Sequence, residues 1–261
     1  MSANCFLRIA AYGCNVHVET DDAKVLEIVD RHLLPTLPRV EQFDGEANCL
    51  ARIEAVQEGF ALLVTGMPRR FVPSPIEIIP LLIRAVDDIV IKNLRGWFAV
   101  HAGTVEWQGR AILVPGISHA GKSSLVAALL RRGATYFSDE YALIDADGQV
   151  YPYPRPVLLR DGGTEQKPVR AEQLNATIGR EPVPVGWVFV VRYVPGAVWK
   201  VEAMEQSQAV FTLLQNTPQI LAEAPAMIGH FRTAVQHAKS YWGERGDADD
   251  AAVRILCLAS A

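Results

Sequence analysis

One segment limits the choice of fold more than any other in the chain. Gly116-Ile-Ser-His-Ala-Gly-Lys-Ser123 fits the pattern GxxxxGK[ST], and it lies between an apolar run at 111–114 and a predicted helix that begins at Lys122. In such a loop the backbone N–H groups point inward around a polyphosphate, and the N-terminus of the helix adds partial positive charge. The sequence therefore predicts a phosphate-binding loop within an α/β domain.

The residue types of this loop suit the binding of a nucleotide. Glycine at 116 and 121 permits tight turns and a close approach of the backbone to phosphate. Lys122 reaches the β- and γ-phosphates, and the Ser123 hydroxyl can ligate Mg²⁺. A buried lysine without an anion would be costly, which argues against a glycine-rich connection that binds nothing. The predicted nucleotide-binding residues are Gly116, Ile117, Ser118, His119, Ala120, Gly121, Lys122, Ser123 and Ser124.

The segments around the loop predict a βαβ unit. Residues 98–101 and 103–107 are β-rich, as is the apolar run before the loop. The helix from Lys122 is predicted to be amphipathic, with one apolar side. Gly133 follows its last turn, a typical helix stop, and a further strand begins at Tyr136. The apolar side of the helix consists of Leu125, Val126, Leu129 and Leu130.

Two acids and one histidine are candidates for chemistry near the loop. Asp139 and Glu140 end the strand after the helix, where open α/β sheets bind their ligands. One acid can face a metal ion while the other reaches an acceptor, and the alternative is a surface turn with two solvated acids. His101 ends a predicted strand 15 residues before Gly116. Alone, it is more simply explained as a core or capping residue.

The remaining segments predict two domains, 1–96 and 97–261. The first is a smaller α+β domain with strand-like runs and helices at about 22–34 and from Ser74 onward, and substrate recognition is a role open to it. In the second, 187–194 and 198–203 predict a hairpin, and 219–239 predicts a helix interrupted by proline. Two arginines after the acids, Arg155 and Arg160, can clamp a carboxylate or phosphate of an acceptor, although arginines in polar loops are usually solvated.

Composition excludes several classes of partner. The 25 Lys and Arg against 29 Asp and Glu give a net charge of −4, which offers no general attraction for nucleic acid or an anionic membrane. No run of 18 apolar residues is present. The four cysteines lie far apart without a CxxC motif, which predicts reduced thiols and a cytoplasmic protein rather than a disulfide framework or a zinc site.

Three segments together resemble the catalytic domain of the HPr kinase/phosphorylase family and its shorter relatives. They are His-Ala-Gly-Thr-Val at 101–105, the loop region at 113–124, and Arg-Gly-Ala-Thr-Tyr-Phe-Ser-Asp-Glu at 132–140. The resemblance covers roughly residues 98–203 and includes the spacings between the histidine, the loop and the acids. It implies a P-loop kinase core of the HPr-kinase type, a mixed sheet with flanking helices, that uses ATP and Mg²⁺ to phosphorylate a serine hydroxyl.

The resemblance also implies a role for each candidate residue. His101 and Asp139 handle the proton of the acceptor, Lys122 is the third catalytic residue, and Glu140 with Ser123 binds the metal ion. The chain departs from the family at Glu140, where Asp is usual, and it lacks the phosphorylase signature and the regulatory N-terminal domain of true HPr kinases. Its size and layout resemble the short relatives that include kinases of lasso-peptide precursors, which implies a peptide or small-protein acceptor.

Two alternatives stay open at this point. One is a kinase of a small hydroxylated metabolite, and the other is a nucleotide-binding regulator without transfer activity. A GTPase is disfavoured because no NKxD motif follows the loop. True HPr kinases form hexamers, so a homo-oligomer is an open alternative to a monomer.

Overall fold

The computed structural model describes residues 5–116, 121–160, 166–218 and 220–261, with side chains for all of these except 160, 166 and 220–224. Over these residues the protein is mixed α/β with several sheets and six α-helices. It divides into two compact units. The first runs up to Arg95 and includes the segment 160–168, and the second comprises 96–159 and 169–261. The division at Arg95 falls next to the domain boundary predicted from the sequence.

The first unit contains one five-stranded sheet. β2 and β3 are parallel, and the other neighbouring strands are antiparallel. Two helices, α1 (Ala23–His32) and α2 (Pro75–Asn93), pack against the sheet, and they bury its apolar side. In spatial order the strands are β1 (Cys5–Ala11), β2 (Cys14–Thr20), β3 (Cys49–Val56), β4 (Gly59–Val64) and β5 (Arg70–Val72).

An eight-stranded sheet organises the second unit. The strands that follow β5 are β6 (Trp97–Trp107), β7 (Arg110–Pro115), β8 (Thr135–Ser138), β9 (Tyr141–Asp145), β10 (Gln149–Tyr151), β11 (Val157–Arg160), β12 (Gln166–Val169), β13 (Val183–Tyr193), β14 (Lys200–Ala203) and β15 (Lys239–Arg245). The sheet has the order β10-β9-β6-β7-β13-β15-β14, with β8 also beside β6.

Strand β6 is one long strand, whereas the sequence predicted two. Its first half, up to His101, pairs with β9, and from Ala102 onward it pairs with β7. The prediction of a break was wrong because the residues on both sides of His101 continue the same extended backbone while only the partner strand changes. β7 and β8 are both antiparallel to β6, so they run in the same direction, as the predicted βαβ unit requires.

The helices of the second unit are α3 (Lys122–Leu130), α4 (Gln206–Gln215), α5 (Ile220–Val235) and α6 (Ala248–Ser260). α3 is not amphipathic as predicted: seven of its nine residues are buried, including Ala127 and Ala128. The reason is that α3 contacts α6 as well as β6, so the side predicted to face solvent is covered too. None of the described helices is long and apolar enough to cross a membrane.

The predicted hairpin between β13 and β14 is wrong. β15 lies between these strands, parallel to β13 and antiparallel to β14. The helix predicted to extend to Lys239 ends at Val235, and Lys239 begins β15. Local sequence did not reveal this strand because its main partner, β13, lies about fifty residues away in the chain. As β7, β13 and β15 are mutually parallel, their C-terminal ends share one edge of the sheet.

The structure joins none of the four cysteines in a disulfide, in agreement with the sequence prediction: Cys5, Cys14, Cys49 and Cys257. Burial raises the pKa of Cys14 to about 11. Burial, with a smaller contribution from Cys14, raises the pKa of Cys49 to about 12. These two thiols are therefore poor nucleophiles at neutral pH.

Close packing of α3 on β6 depends on Gly103. A Cβ atom at this position would lie 2.6 Å from Cγ2 of Val126. We expect Gly103→Ala to lower the free energy of unfolding by about 1–3 kcal/mol, because the helix must move away from the sheet. Chemical denaturation measures this loss. Gly229→Ala on α5 is the matched control, since a Cβ there meets open space, and it should leave stability unchanged or slightly higher. Equal stability of the two variants would contradict the packing argument.

Candidate functional site

The change of partner along β6 brings three separate segments together at His101. His101 pairs with Tyr141 of β9, and Ala102 pairs with Pro115 of β7. The residue after Pro115 is Gly116, the first glycine of the predicted phosphate loop, and its N–H donates to the His101 carbonyl at 3.2 Å. The residue before Tyr141 is Glu140, whose carbonyl accepts from the N–H of Ala102 at 2.9 Å. The histidine therefore lies between the loop and the acidic pair.

Both ring nitrogens of His101 face oxygen acceptors. Nε2 contacts Oε1 of Glu140, and Nδ1 lies 2.8 Å from the carbonyl oxygen of Gly116. A hydrogen bond to either oxygen requires the ring nitrogen concerned to carry the proton. Nζ of Lys122 lies 3.4 Å from Nδ1. The side chain of His101 is only 17% exposed, so its contacts with the protein define its orientation.

Lys122, the first residue of α3, is buried at the same place. Its Nζ donates to the carbonyl oxygen of Gly116 at 2.7 Å. Burial lowers the pKa of Lys122, and the carboxylates of Glu140 and Asp139 oppose this shift. Gly121 caps the helix in a left-handed conformation with φ of 75°, which favours glycine. The lysine ammonium is thus held beside the first glycine of the loop by the fold itself.

Asp139 is a buried carboxylate that receives three contacts. Ser123 Oγ donates to its Oδ2 at 2.9 Å, the hydroxyl of Tyr136 lies 3.2 Å from Oδ1, and Nε of Arg155 lies 3.3 Å from Oδ1. Only 1% of Asp139 is exposed. Burial, followed by the charge of Asp139, raises the pKa of Tyr136 well above its usual value, so the phenol stays protonated. Asp139 is therefore fixed against the serine of the phosphate loop.

Glu140 bridges the histidine and the arginine. Its Oε1 contacts His101, and its Oε2 lies 3.4 Å from Nη2 of Arg155. Burial acts to raise the pKa of Glu140. The hydrogen bond with His101 and the charge of Arg155 outweigh burial, together with smaller contributions from His101 and Lys122, and lower the pKa to about 2. At neutral pH Glu140 is thus a carboxylate within a network of cations.

The structure brings together most of the residues singled out in the sequence. His101, Gly116, Lys122, Ser123 and the two acids form one cluster, and Gly121 adjoins it. Ser124 is exposed on the first turn of α3. Ile117, Ser118, His119 and Ala120 lie outside the described residues, as does the side chain of Arg160. Ser123 donates a hydrogen bond to Asp139, whereas the family resemblance implied that Ser123 binds the metal ion together with Glu140.

Arg155 differs from the solvated loop residue that its sequence context suggests. It is 4% exposed and pairs with both Asp139 and Glu140. Its contacts in the structure are therefore with the two acids of the cluster. Two residues of the site were not singled out from sequence. Tyr136 was predicted only as the start of a strand, and Arg245, which donates to the Gly121 carbonyl oxygen at 2.9 Å, follows no recognisable motif.

The oxygens around Ser123 are chemically suited to Mg²⁺. The hydroxyl of Ser123 and a carboxylate oxygen of Asp139 lie 2.9 Å apart, and such hard oxygen donors are the ligands that Mg²⁺ prefers. Within the described parts of the chain no group of three or more His, Cys, Asp or Glu side chains forms a metal cage. Mg²⁺ usually takes one or two protein oxygens together with water and phosphate, so this pair fits the ion.

The lowered pKa of Glu140 predicts how the free energy of unfolding depends on pH. The folded-state pKa of about 2 lies below the ordinary value of 4.5. The interactions of Glu140 therefore stabilise the protein fully above about pH 4.5, and this contribution is lost as the pH falls from there through about 2. We expect Glu140→Gln to flatten the pH dependence of the free energy of unfolding in that range, measured by denaturation at a series of pH values. Glu202→Gln, at an exposed glutamate on β14, should retain the wild-type slope, and an unchanged slope for Glu140→Gln would contradict the ion network.

Comparison with known proteins adds no relative to this description. A scan of the chain against protein-family models finds no match, and a search of curated proteins finds none either.

Proposed function

We propose that the second unit is an ATP- and Mg²⁺-dependent kinase core of the HPr-kinase type that phosphorylates a serine hydroxyl of a peptide or small protein. One observation carries this proposal. The two adjacent acids contact different groups: Asp139 accepts a hydrogen bond from Ser123 of the phosphate loop, and Glu140 contacts the ring of His101. Phosphoryl transfer needs positioned phosphates, neutralised charge and an acceptor for the hydroxyl proton, and this cluster contains groups suited to each.

Lys122 neutralises charge on the transferred group. Its ammonium donates to the Gly116 carbonyl oxygen at 2.7 Å, and this acceptor is neutral. A phosphate oxygen is a stronger acceptor for the ammonium, so binding of a triphosphate draws Nζ from the carbonyl to the phosphate. The charge of a buried lysine acts strongly because little water screens it.

The contacts of the two acids favour an exchange of the roles that the resemblance implies. Asp139 would hold Mg²⁺ together with Ser123, since these oxygens already lie side by side. Mg²⁺, when bound, neutralises negative charge on the polyphosphate. Arg155 and Tyr136 fix the other carboxylate oxygen of Asp139 and set its orientation.

Glu140 and His101 would then handle the proton of the acceptor as one coupled pair. Glu140 orients the imidazole through Nε2, and its side chain is 25% exposed, so an incoming hydroxyl can approach the pair more easily than the buried Asp139. The proton lost by the serine hydroxyl passes to this pair as the new P–O bond forms and the bond to ADP breaks. The end of helix α4 also holds the backbone of His101. Asn216 directly follows this helix, and its carbonyl oxygen accepts from the backbone N–H of His101 at 2.7 Å.

A peptide acceptor is supported by an apolar cavity along α4. The cavity has a volume of about 520 Å³, and Phe211 and Trp242 on its wall are more than half exposed. The residue after this helix, Asn216, contacts the backbone of His101, so one element connects the cavity with the catalytic cluster. Other residues that line the cavity are Val190, Met204, Ser207, Gln208 and Thr212.

Mass spectrometry after incubation with Mg-ATP tests the proposed function. We expect a serine-containing peptide pool to gain phosphate, and the same pool with serine replaced by alanine to gain none. His101→Ala should lower transfer strongly while nucleotide still binds. Phosphorylation of small hydroxylated compounds but not of peptides would overturn the acceptor class. Binding of ATP without transfer to either class would favour a regulator and overturn the kinase proposal.

A further inference from the structure

Arg245, the last residue of β15, is a buried cation next to the phosphate loop. Only 2% of it is exposed. Its Nη2 donates to the Gly121 carbonyl oxygen at 2.9 Å, and its Nη1 donates to the Gly246 carbonyl oxygen at 3.0 Å. The guanidinium also lies over the ring of Tyr193, 5.2 Å from the centroid. Because β7, β13 and β15 are parallel, the fold delivers this arginine to the edge where the loop begins.

The charge of Arg245 lacks a matching anion in the described part of the protein. Its two acceptors are neutral carbonyls, and Nε is buried without a hydrogen-bond partner. The acid that most favours its charge is Asp247, whose carboxylate accepts from the backbone of α6 as a helix cap. A guanidinium stays charged in proteins, and a buried charge without a counterion is costly. An anion that binds beside such a group offsets part of this cost.

Gly121 leaves room for the guanidinium of Arg245. A Cβ atom on Gly121 would lie 2.4 Å from Nη2 of Arg245, so a larger residue there would displace the guanidinium from the start of α3. The N-terminus of α3 and Lys122 attract the same kind of ligand. A second buried cation at this point adds to the attraction for a polyphosphate.

We propose that Arg245 is a second cationic determinant of polyphosphate binding, which holds Gly121 in place and supplies charge behind the phosphate loop. This inference rests on the proposed function, since it assumes that the loop binds phosphate. Arg245 acts partly through Gly121 and is therefore a positioning residue. The ligand class is an inorganic or nucleoside polyphosphate rather than a monoanion, because Lys122 contacts Gly116 at one end of the loop, Arg245 contacts Gly121 at the other, and the helix N-terminus adds partial charge.

Calorimetric titration with inorganic tripolyphosphate tests the proposal without any knowledge of the acceptor. We expect Arg245→Gln to weaken tripolyphosphate binding by about tenfold or more, because the attraction between the buried guanidinium and the phosphates is lost. Arg192→Gln is the matched control. Arg192 lies on the neighbouring strand, is 74% exposed and pairs with Glu244, so its loss should change the dissociation constant by less than about twofold.

Each outcome decides the inference. Equal binding by Arg245→Gln and the wild type overturns it, while the phosphate loop stands. Failure of the wild type to bind tripolyphosphate overturns the phosphate site and the inference with it. If Arg245→Gln does not fold, Arg245→His replaces it, because histidine gains charge between about pH 8.5 and pH 6. The affinity gain on acidification should then exceed that of the wild type by about threefold or more, and an equal gain would show that Arg245 only supports the loop.

Discussion

Replacement of Lys122 by methionine is expected to abolish phosphoryl transfer, with a loss of about 1,000-fold or more in kcat/KM. The ammonium of Lys122 contacts the ring of His101 and the carbonyl oxygen of Gly116, and little water screens its charge at this buried position. Methionine preserves the length and apolar stem of the side chain but removes the charge. Transfer of labelled phosphate from ATP measures the effect.

The same substitution should not lower stability. Burial lowers the pKa of Lys122, which indicates that its charge is costly in the folded protein before a ligand binds. We expect the free energy of unfolding of Lys122→Met to equal or exceed that of the wild type. A stable variant that retains transfer would contradict the role of Lys122, and a strongly destabilised variant would indicate a structural role instead.

Substitution of the two acids should have opposite consequences for metal binding and turnover. We expect Asp139→Asn to weaken binding of Mn²⁺, used as a spectroscopic substitute for Mg²⁺ in the presence of ADP, by about tenfold or more. Glu140→Gln should leave Mn²⁺ binding nearly unchanged and lower kcat by about 100-fold, because the histidine loses its carboxylate partner. Electron paramagnetic resonance measures the first effect and steady-state kinetics the second.

The reverse pattern would restore the roles implied by the family resemblance. If Glu140→Gln weakens metal binding while Asp139→Asn does not, then Glu140 binds the metal with Ser123, and the contact between Ser123 and Asp139 does not mark the metal site. The two variants change only one atom type each and keep the shape of the side chain, so each serves as the control for the other.

Local sequence was sufficient to predict the elements that carry the site. The glycine-rich loop, the start of α3 at Lys122 and the acids after β8 all follow from patterns within about twenty-five residues. The fold class of mixed α/β follows from the same alternation. These features depend on short-range periodicity and on residues that permit special backbone conformations, both of which can be recognised in a single segment.

The contacts inside the site could not be predicted in this way. Glu140 meets His101 because β6 changes its partner strand at that residue, which depends on the register of segments 39 residues apart. Arg155 was placed in a polar loop by its neighbours, yet tertiary structure buries it against both acids. β15 was not predicted because its pairing with β13 depends on a strand far away in the chain, and Arg245 was missed with it.

The most direct measurement is a crystal structure of the protein with Mg²⁺ and an ATP analogue that cannot be hydrolysed. We expect the triphosphate to lie along the loop from Gly116 to Ser123, with the terminal phosphate at Nζ of Lys122 and the metal ion between Ser123 and Asp139. A nucleotide bound elsewhere, or a terminal phosphate out of reach of both Lys122 and His101, would contradict the proposed transfer.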